Sequence, residues 1–314
     1  MGARLSAARE VHMYRSFSFI ALGAAFMLAG TIAHAQDKDP QLVPNRISGV
    51  GDSITEAINA EEFNIFRITN PNPWASFSNG YYGFWEWLLG RTNVDSHNQR
   101  ISRNFGSRGR ANFLDGVSGA NSTDLAAQTA ASVDHSATYV TMFMGHNDVC
   151  RDDFSDIPTD EEYEANVRAG LENLRNGLPD GATIYILGLV DIYKLYQLGE
   201  DLTSLGFIDC RLIWATTLFN IYPCSTMLSP TNSEADRQFT RSRNIAFNEI
   251  LERLANEYNA NDPNHYYAYT NEPFDYSFQP SEVSGFDCFH PSAEGQRALS
   301  DVTWDAGPFR QFQR

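Results

Sequence analysis

Short apolar runs rich in β-branched and aromatic residues alternate along the chain with longer segments of helical periodicity. This alternation is typical of a parallel sheet with helices packed on both of its faces. Five strands are predicted, at residues 45–50, 99–106, 138–145, 182–190 and 265–269. The clearest helical patterns cover residues 161–178 and 233–258, and a last helix should begin near Pro291 and Ser292, with the proline in its first turn. The predicted fold class is α/β, a three-layer α/β/α sandwich with a five-stranded parallel sheet.

The first 35 residues have the pattern of an export signal. Basic residues precede an apolar run from Phe17 to Ile32, and the small residues of Ala33-His34-Ala35 suit a signal peptidase. The alternative is an uncleaved membrane anchor, but a run of about 16 residues is short for a span of roughly 20. We therefore predict that residues 1–35 are a signal peptide and that the mature protein is secreted or periplasmic.

The chain is strongly acidic, with 23 Lys and Arg against 39 Asp and Glu, a formal net charge of −16. Residues 1–35 hold three basic residues and one acidic residue, so the remainder has 20 against 38, or −18. This charge disfavours binding to nucleic acid and tight binding to an anionic membrane. Since no linker or repeat divides residues 36–314, we predict one monomeric domain with insertions near 57–98 and 196–232, making at most transient contact with a membrane or lipid surface.

Four cysteines follow the predicted signal, namely Cys150, Cys210, Cys224 and Cys288. An even number in an exported chain predicts two disulfides, and the spacings do not resemble those of a zinc site. Three pairings are possible. Cys210 and Cys224 enclose a short segment and are the natural partners, which leaves Cys150 to pair with Cys288.

A serine follows the first predicted strand, in Gly51-Asp52-Ser53-Ile54. At a strand-to-helix turn its hydroxyl would point out of the sheet near the positive end of a helix, and its own N–H could stabilise an oxyanion. The same residues also form ordinary turns, so this motif alone does not establish a catalytic site. Asp52 is expected to secure the turn rather than to transfer protons.

Two other polar clusters follow later strands. Asn147, in Gly145-His146-Asn147-Asp148, can donate an amide N–H to developing negative charge, or simply cap a turn. In Asp287-Cys288-Phe289-His290 a carboxylate and an imidazole lie three residues apart. The carboxylate can orient the ring while the other ring nitrogen reaches a serine, although a structural Asp–His pair would have the same spacing.

In their order and at their strand ends, these segments resemble the sequence blocks of the SGNH (GDSL-type) hydrolases. A further block of that family is matched by Val117-Ser118-Gly119-Ala120-Asn121, and the resemblance extends from residue 47 to residue 300. It implies a flavodoxin-like SGNH hydrolase fold and a serine ester hydrolase that needs no metal and no organic cofactor. It also implies that Ser53 is the nucleophile and His290 the general base, oriented by Asp287. The oxyanion hole would be formed by the N–H groups of Ser53 and Gly119 and the side chain of Asn147.

Further matches are similar to the phospholipase B-like branch of this family. They are Cys150 after Asp148, the Trp-containing segment Pro73-Trp74-Ala75-Ser76, and the Leu-Tyr segment at residues 192–196. This branch implies a small-molecule or lipid ester as substrate, and in it a disulfide between Cys150 and Cys288 would join the oxyanion-hole loop to the triad loop. The alternatives are a carbohydrate O-acetylesterase, and a non-catalytic carbohydrate- or surface-binding protein on the same fold. A long apolar acyl pocket would favour lipid esters, and a shallow notch would favour acetate.

An aromatic-rich segment lies between residues 74 and 87. Phe84, Trp87 and Leu88 would share one helical face and are predicted to be core residues, since aromatic side chains pack in cores more often than they line grooves. Trp74 and Tyr81 are the candidates for a substrate wall. His146 is a third candidate, because it lies close to the predicted site and has no catalytic role in the family pattern.

Overall fold

The structure is a computed structural model that describes residues 39–61, 70–106, 109–215 and 224–312, so the predicted signal peptide lies outside the described residues. Its strands are β1 (Arg46–Gly51), β2 (Ala111–Leu114), β3 (Tyr139–Phe143), β4 (Thr183–Leu187), β5 (Thr203–Ser204), β6 (Ile208–Asp209) and β7 (Tyr266–Thr270). Five of them form one parallel sheet in the order β2-β1-β3-β4-β7, and β5 pairs with β6 in a separate antiparallel hairpin. The strand order reverses between β1 and β3. In an open α/β sheet the crevice at the carboxyl ends of two such strands is where ligands bind.

Helices cover both faces of this sheet. They are α1 (Phe84–Leu88), α2 (His97–Phe105), α3 (Leu125–Asp134), α4 (His146–Val149), α5 (Asp160–Gly177), α6 (Ile192–Leu198), α7 (Cys210–Ala215), α8 (Ser225–Leu228), α9 (Glu234–Asn261), α10 (Glu272–Asp275) and α11 (Ala293–Asp305). Successive strand residues point to opposite faces, so Val140 and Ile184 pack with α3, α5 and α9, whereas Tyr139 and Tyr185 pack with α2 and α11. The predicted three-layer fold with a five-stranded parallel sheet is therefore confirmed.

One of the five predicted strands is wrong, because residues 99–106 belong almost entirely to helix α2. Ser96 caps this helix by accepting a hydrogen bond from the Gln99 N–H, and the Gln99 side chain accepts one from the Ser96 N–H. Ile101 and Phe105, four residues apart, pack against the same cluster of core residues. The missing strand is β2, which has only four residues and lies at the edge of the sheet. The other four predicted strands overlap β1, β3, β4 and β7.

The long helices begin where capping residues predict. Ser233 caps α9, as expected, by accepting a hydrogen bond from the Asp236 N–H, and Thr159 caps α5 in the same way. At the last helix, Ser292 is the cap and Pro291 precedes it, so the prediction that Pro291 lies in the first turn is wrong. Among the described residues, no helix is both long enough and apolar enough to cross a membrane.

All four cysteines form disulfides, but the predicted pairing is wrong. Cys150 pairs with Cys224, and Cys210 pairs with Cys288. The first bridge attaches the segment after β3 to the start of α8, and the second attaches the start of α7 to the loop before α11. The short separation of Cys210 and Cys224 misled the prediction, because both ends of this segment are held by other parts of the chain.

Candidate active site

Ser53, His290 and Asp287 form one hydrogen-bonded chain at the carboxyl edge of the sheet. The Ser53 Oγ lies 2.8 Å from His290 Nε2, and His290 Nδ1 lies 2.7 Å from Asp287 Oδ2. The seryl hydroxyl can donate to Nε2 when the Nδ1–H donates to the carboxylate. The structure thus brings together three residues that the sequence predicts to act as a triad, although Ser53 and His290 are 237 residues apart.

Ser53 lies two residues after the end of β1 in a series of hydrogen-bonded turns, not at the start of a regular helix as expected. The Glu56 N–H donates to the Asp52 carbonyl, and the Ile58 N–H donates to the Ser53 carbonyl. Asp52 Oδ1 accepts a 2.9 Å hydrogen bond from the Ile54 N–H, which is the turn-securing contact expected of this residue. These bonds fix the backbone on both sides of the serine.

Asp287 is buried and surrounded by donors. Its Oδ1 accepts hydrogen bonds from the N–H groups of Phe289 and His290, and its Oδ2 accepts one from the Asn59 side chain at 2.7 Å. Burial by itself raises the pKa of Asp287, but the charge of His290 and the hydrogen bonds from His290 and Asn59 outweigh it and lower the pKa below its ordinary value. The carboxylate therefore stays ionised and can stabilise a protonated His290. No sequence motif pointed to Asn59.

The predicted oxyanion donors lie around the same strand ends. The Asn147 side chain follows β3 and donates a 2.8 Å hydrogen bond to the Ala120 carbonyl; since an amide has two N–H groups, one remains for a substrate. Gly119 has φ +80°, in a turn held by the bond from the Val117 N–H to the Gly51 carbonyl. This conformation favours glycine and leaves the Gly119 backbone exposed beside the end of β1.

Asp148 holds the Gly119 turn to the loop after β3. Its carboxylate accepts hydrogen bonds from the Ser122 N–H at 2.8 Å and the Ser122 hydroxyl at 2.6 Å. Burial raises the pKa of Asp148, although these two bonds and the nearby charge of Arg151 oppose the effect. The carboxylate is thus a structural link between two of the sequence blocks.

A second Asp–His pair lies beside the nucleophile. His146 Nδ1 lies 2.7 Å from Asp52 Oδ2, and His146 Nε2 accepts a 3.2 Å hydrogen bond from the Val190 N–H. Because a backbone N–H can only donate, the ring proton must be on Nδ1, where it binds the Asp52 carboxylate. His146 therefore connects the turn that carries Ser53 to the segment after β4.

Ser53 and His290 open into a cavity of about 310 Å³ between α6 and the segment from Ser277 to Pro291. Its wall includes these apolar side chains: Ile54, Val190, Ile192, Leu195, Leu198, Phe278, Val283, Phe289 and Pro291. His146 and Asn147 also line it, as predicted for His146. Lys194 also lines the cavity. It donates hydrogen bonds to the carbonyls of Phe274, Asp275 and Tyr276, so it joins α6 to the chain segment 274–276.

The aromatic segment does not form the wall of this cavity. Trp74 is buried under the guanidinium of Arg91, 3.6 Å from the ring centroid, and neither Trp74 nor Tyr81 is among the described residues that line the cavity. The prediction that Phe84, Trp87 and Leu88 are core residues is wrong, because their exposed fractions are 63%, 63% and 53%. In the part of the chain that the structure describes, no group of three or more His, Cys, Asp or Glu could hold a metal ion.

The class of this protein is defined by a serine, an imidazole and a carboxylate at the strand ends of a parallel sheet that has helices on both faces. The family model for the GDSL-like lipase/acylhydrolase family matches residues 50–298, which is most of the chain. The protein therefore belongs to that family, and it is an ester hydrolase of the SGNH/GDSL type.

The individual proteins that this chain resembles have low sequence identity to it. Acyloxyacyl hydrolase of Oryctolagus cuniculus is 26% identical in an alignment of length 204 that covers 55% of this chain and 32% of that protein. This chain thus spans about a third of the length of that relative. An α/β hydrolase from the metagenome of Lake Arreo matches over 86% of this chain and 97% of its own, with 17% identity and a TM-score of 0.48. An acetylxylan esterase from Geobacillus stearothermophilus matches over 88% and 97%, with 14% identity and a TM-score of 0.47.

Proposed function

We propose that the protein is an exported serine carboxylic ester hydrolase that cleaves lipid-type esters and holds their acyl chain in the cavity beside Ser53. The observation that carries this proposal is the position of the Ser53 hydroxyl, which lies 2.8 Å from His290 Nε2 and on the wall of an apolar cavity. The two disulfides support export, because such bonds persist in oxidising compartments.

In the proposed reaction the Ser53 Oγ attacks the ester carbonyl while its proton passes to His290 Nε2. The N–H groups of Ser53 and Gly119 and the amide of Asn147 stabilise the oxyanion that forms. The ester C–O bond then breaks, and His290 returns the proton to the leaving alcohol. Water activated by the same His290 hydrolyses the acyl-enzyme and restores Ser53.

The size and lining of the cavity favour an acyl chain over an acetyl group. A volume of about 310 Å³ is at the lower end of the range for small-molecule sites, and such sites are mostly apolar with a few placed polar groups. An acetyl group would leave most of this apolar wall unfilled. Acyloxyacyl hydrolase of Oryctolagus cuniculus is by its name a hydrolase of acyloxyacyl groups, although the aligned part is only 32% of that protein.

The test is hydrolysis of a series of p-nitrophenyl esters, from acetate to palmitate, by the wild-type protein and by Ser53→Ala. We expect higher kcat/KM for chains longer than acetate, and loss of activity on every ester in the variant. Acetate-only activity would favour the carbohydrate O-acetylesterase instead. Equal rates for both proteins would exclude the Ser53 mechanism and favour a binding protein on the same fold.

A second pair of variants tests the position of the acyl chain. Leu195→Trp places a large side chain in the cavity wall, whereas Leu212→Trp makes the same change at an exposed position on α7. Because filling a packed apolar site is costly, we expect Leu195→Trp to lower kcat/KM for long esters by about tenfold and to change the acetate rate little. Leu212→Trp should match the wild type. Equal losses on acetate and long esters in Leu195→Trp would contradict an acyl chain in this cavity.

A further inference from the structure

Helix α1 and Leu89 form an exposed apolar projection, which we call the aromatic knob. The exposed fractions of its residues Phe84, Trp85, Trp87, Leu88 and Leu89 are 63%, 66%, 63%, 53% and 63%. Phe84 packs against both tryptophans, with ring centroids 5.4 Å and 6.0 Å away. Single exposed apolar residues are common on protein surfaces, but a contiguous group of large ones marks a site of interaction.

Only one side chain of the helix points into the body of the protein. Glu86 is buried, accepts a hydrogen bond from the Gly83 N–H, and forms an ion pair with Arg91. The apolar side chains occupy the remaining directions around the helix axis. The surface is therefore convex, a shape that suits insertion into a soft apolar phase better than docking against a rigid partner.

The charge around the aromatic knob differs from that of the chain as a whole. Between residues 70 and 93 the charged residues are Glu86 and Arg91, which pair with each other, whereas the whole chain has a net charge of −16. The segment that carries the knob thus has no net charge on an acidic protein, although the Glu61 carboxylate lies at its base. Tryptophan is favoured at the boundary between water and lipid, because its ring is apolar and its N–H can remain hydrated.

Hydrogen bonds connect the base of the knob to the triad loop. Trp74 precedes α1 in the sequence and Thr92 follows it. The Trp74 indole N–H and the Thr92 backbone N–H both donate to the Glu61 carboxylate. The adjacent Ala60 carbonyl accepts from the Ala293 N–H, three residues after His290. The knob therefore projects from a segment attached to the loop that carries the catalytic histidine.

We propose that the aromatic knob is a docking element for the surface of an electrically neutral, zwitterionic lipid assembly, into which its aromatic and leucine side chains insert. The convex apolar shape, the two exposed tryptophans and the absence of net charge in the segment that carries them favour lipid over a protein partner. The overall negative charge disfavours an anionic surface. The inference rests on the proposed lipid-ester function, which such docking would serve. Lipid binding can nevertheless be measured without hydrolysis.

In the first experiment, tryptophan fluorescence reports contact between the aromatic knob and lipid. The chain has five, and Trp74, Trp214 and Trp304 are buried, so only Trp85 and Trp87 can contact lipid. Phosphatidylcholine vesicles added to the full chain with Ser53→Ala should shift tryptophan emission to shorter wavelength, and brominated acyl chains should quench it. Trp85→Phe combined with Trp87→Phe should abolish both signals. Unchanged emission of the Ser53→Ala protein at saturating lipid would overturn the proposal.

A flotation assay with matched variants tests the surface itself. Phe84→Ser with Leu88→Ser removes one aromatic and one aliphatic side chain from the knob, and Phe239→Ser with Ile245→Ser makes an equivalent change on α9. We expect the first pair to weaken partitioning by about tenfold or more and the second pair to leave it unchanged. Binding should also be weaker to phosphatidylglycerol vesicles at low salt. Equal partitioning of both pairs would overturn the proposal.

Two controls distinguish other outcomes. With Ser53 intact, both pairs of variants should hydrolyse a soluble short ester at the wild-type rate, which shows that the fold is retained. If that hydrolysis proceeds but vesicles do not bind, the docking proposal fails, and the proposed function is then judged separately by the series of p-nitrophenyl esters. If the protein self-associates without lipid, and Phe84→Ser with Leu88→Ser prevents it, the knob binds a second copy and the lipid proposal is wrong.

Discussion

The Asn59 side chain donates a hydrogen bond of 2.7 Å to Asp287 Oδ2, the same oxygen that accepts from His290 Nδ1. Asn59 has φ 53°, a left-handed conformation that asparagine tolerates better than most residues. Its Oδ1 accepts from the Asn70 N–H, so the amide orientation is fixed on both sides. The segment after Ser53 thereby contributes to the ionisation and position of the carboxylate proposed for the triad.

Removing the Asn59 amide should impair catalysis without unfolding the protein. We choose Asn59→Gly because glycine tolerates the positive φ. Without this donor the pKa of Asp287 should rise, so the acid limb of the kcat/KM profile should move to higher pH and kcat should fall by about tenfold. Asn70→Ala is the control, because it removes the 3.4 Å hydrogen bond from the Asn70 side chain to Asn59 Oδ1 but keeps the backbone N–H that binds the same oxygen. An unchanged acid limb in Asn59→Gly would show that the contact has no role in ionisation.

The pair of Asp52 and His146 should contribute to stability as a unit. His146→Ala leaves the buried Asp52 carboxylate and the Val190 N–H without their partner, so the free energy of unfolding should fall by about 2–4 kcal/mol. Adding Asp52→Asn to His146→Ala should recover part of that loss, because a neutral amide costs less to bury. Chemical denaturation of the wild type, both single variants and the double variant measures this coupling. Strictly additive losses would contradict it.

The two disulfides allow a matched comparison. Their sequence separations are 74 and 78 residues, so replacing either pair by serine should lower the free energy of unfolding by a similar amount, about 4 kcal/mol. The activities should differ. Cys288 has φ 59° and directly follows Asp287, so loss of the Cys210–Cys288 bridge should lower kcat more than loss of the Cys150–Cys224 bridge.

Peptide mapping under non-reducing conditions checks the pairing itself. Peptides that join Cys150 to Cys224 and Cys210 to Cys288 are expected. Recovery of a peptide pair joining Cys210 to Cys224 would contradict the structure. Equal kcat values in the two serine variants at a temperature where both are folded would show that neither bridge positions the triad.

His97 should make the free energy of unfolding depend on pH. Burial against Tyr139, Tyr185 and Trp304, followed by the nearby charge of Arg100, lowers its pKa from 6.5 to about 3. Between these values the unfolded chain binds a proton that the folded protein does not bind, so stability falls as pH decreases through this window. The stability advantage of the wild type over His97→Gln should therefore shrink by about 2–3 kcal/mol from pH 7.5 to pH 4.5. Parallel denaturation profiles would contradict this assignment.

Secondary structure was predictable where a segment has enough residues to show its period. Helices α5 and α9 have 18 and 28 residues and begin at capping side chains, so their patterns are unambiguous. Strand β2 has four residues, and the apolar positions of α2 were mistaken for a strand. A run of about eight residues can fit both the helical period of about 3.6 residues and the strand period of about two, and only packing against the sheet decides between a helix and a strand.

The sequence by itself determined the alternating α/β architecture and the three residues proposed as the triad, because each of the three lies in a short local motif at a strand end. Only the tertiary structure decided the disulfide pairing, the contact of Asn59 with Asp287 and the exposure of α1. Asn59 and Asp287 are 228 residues apart, and nothing in either local pattern encodes their contact. Whether an apolar helix face is buried likewise depends on what the rest of the chain places against it, and for α1 the only side chain that the fold covers is Glu86.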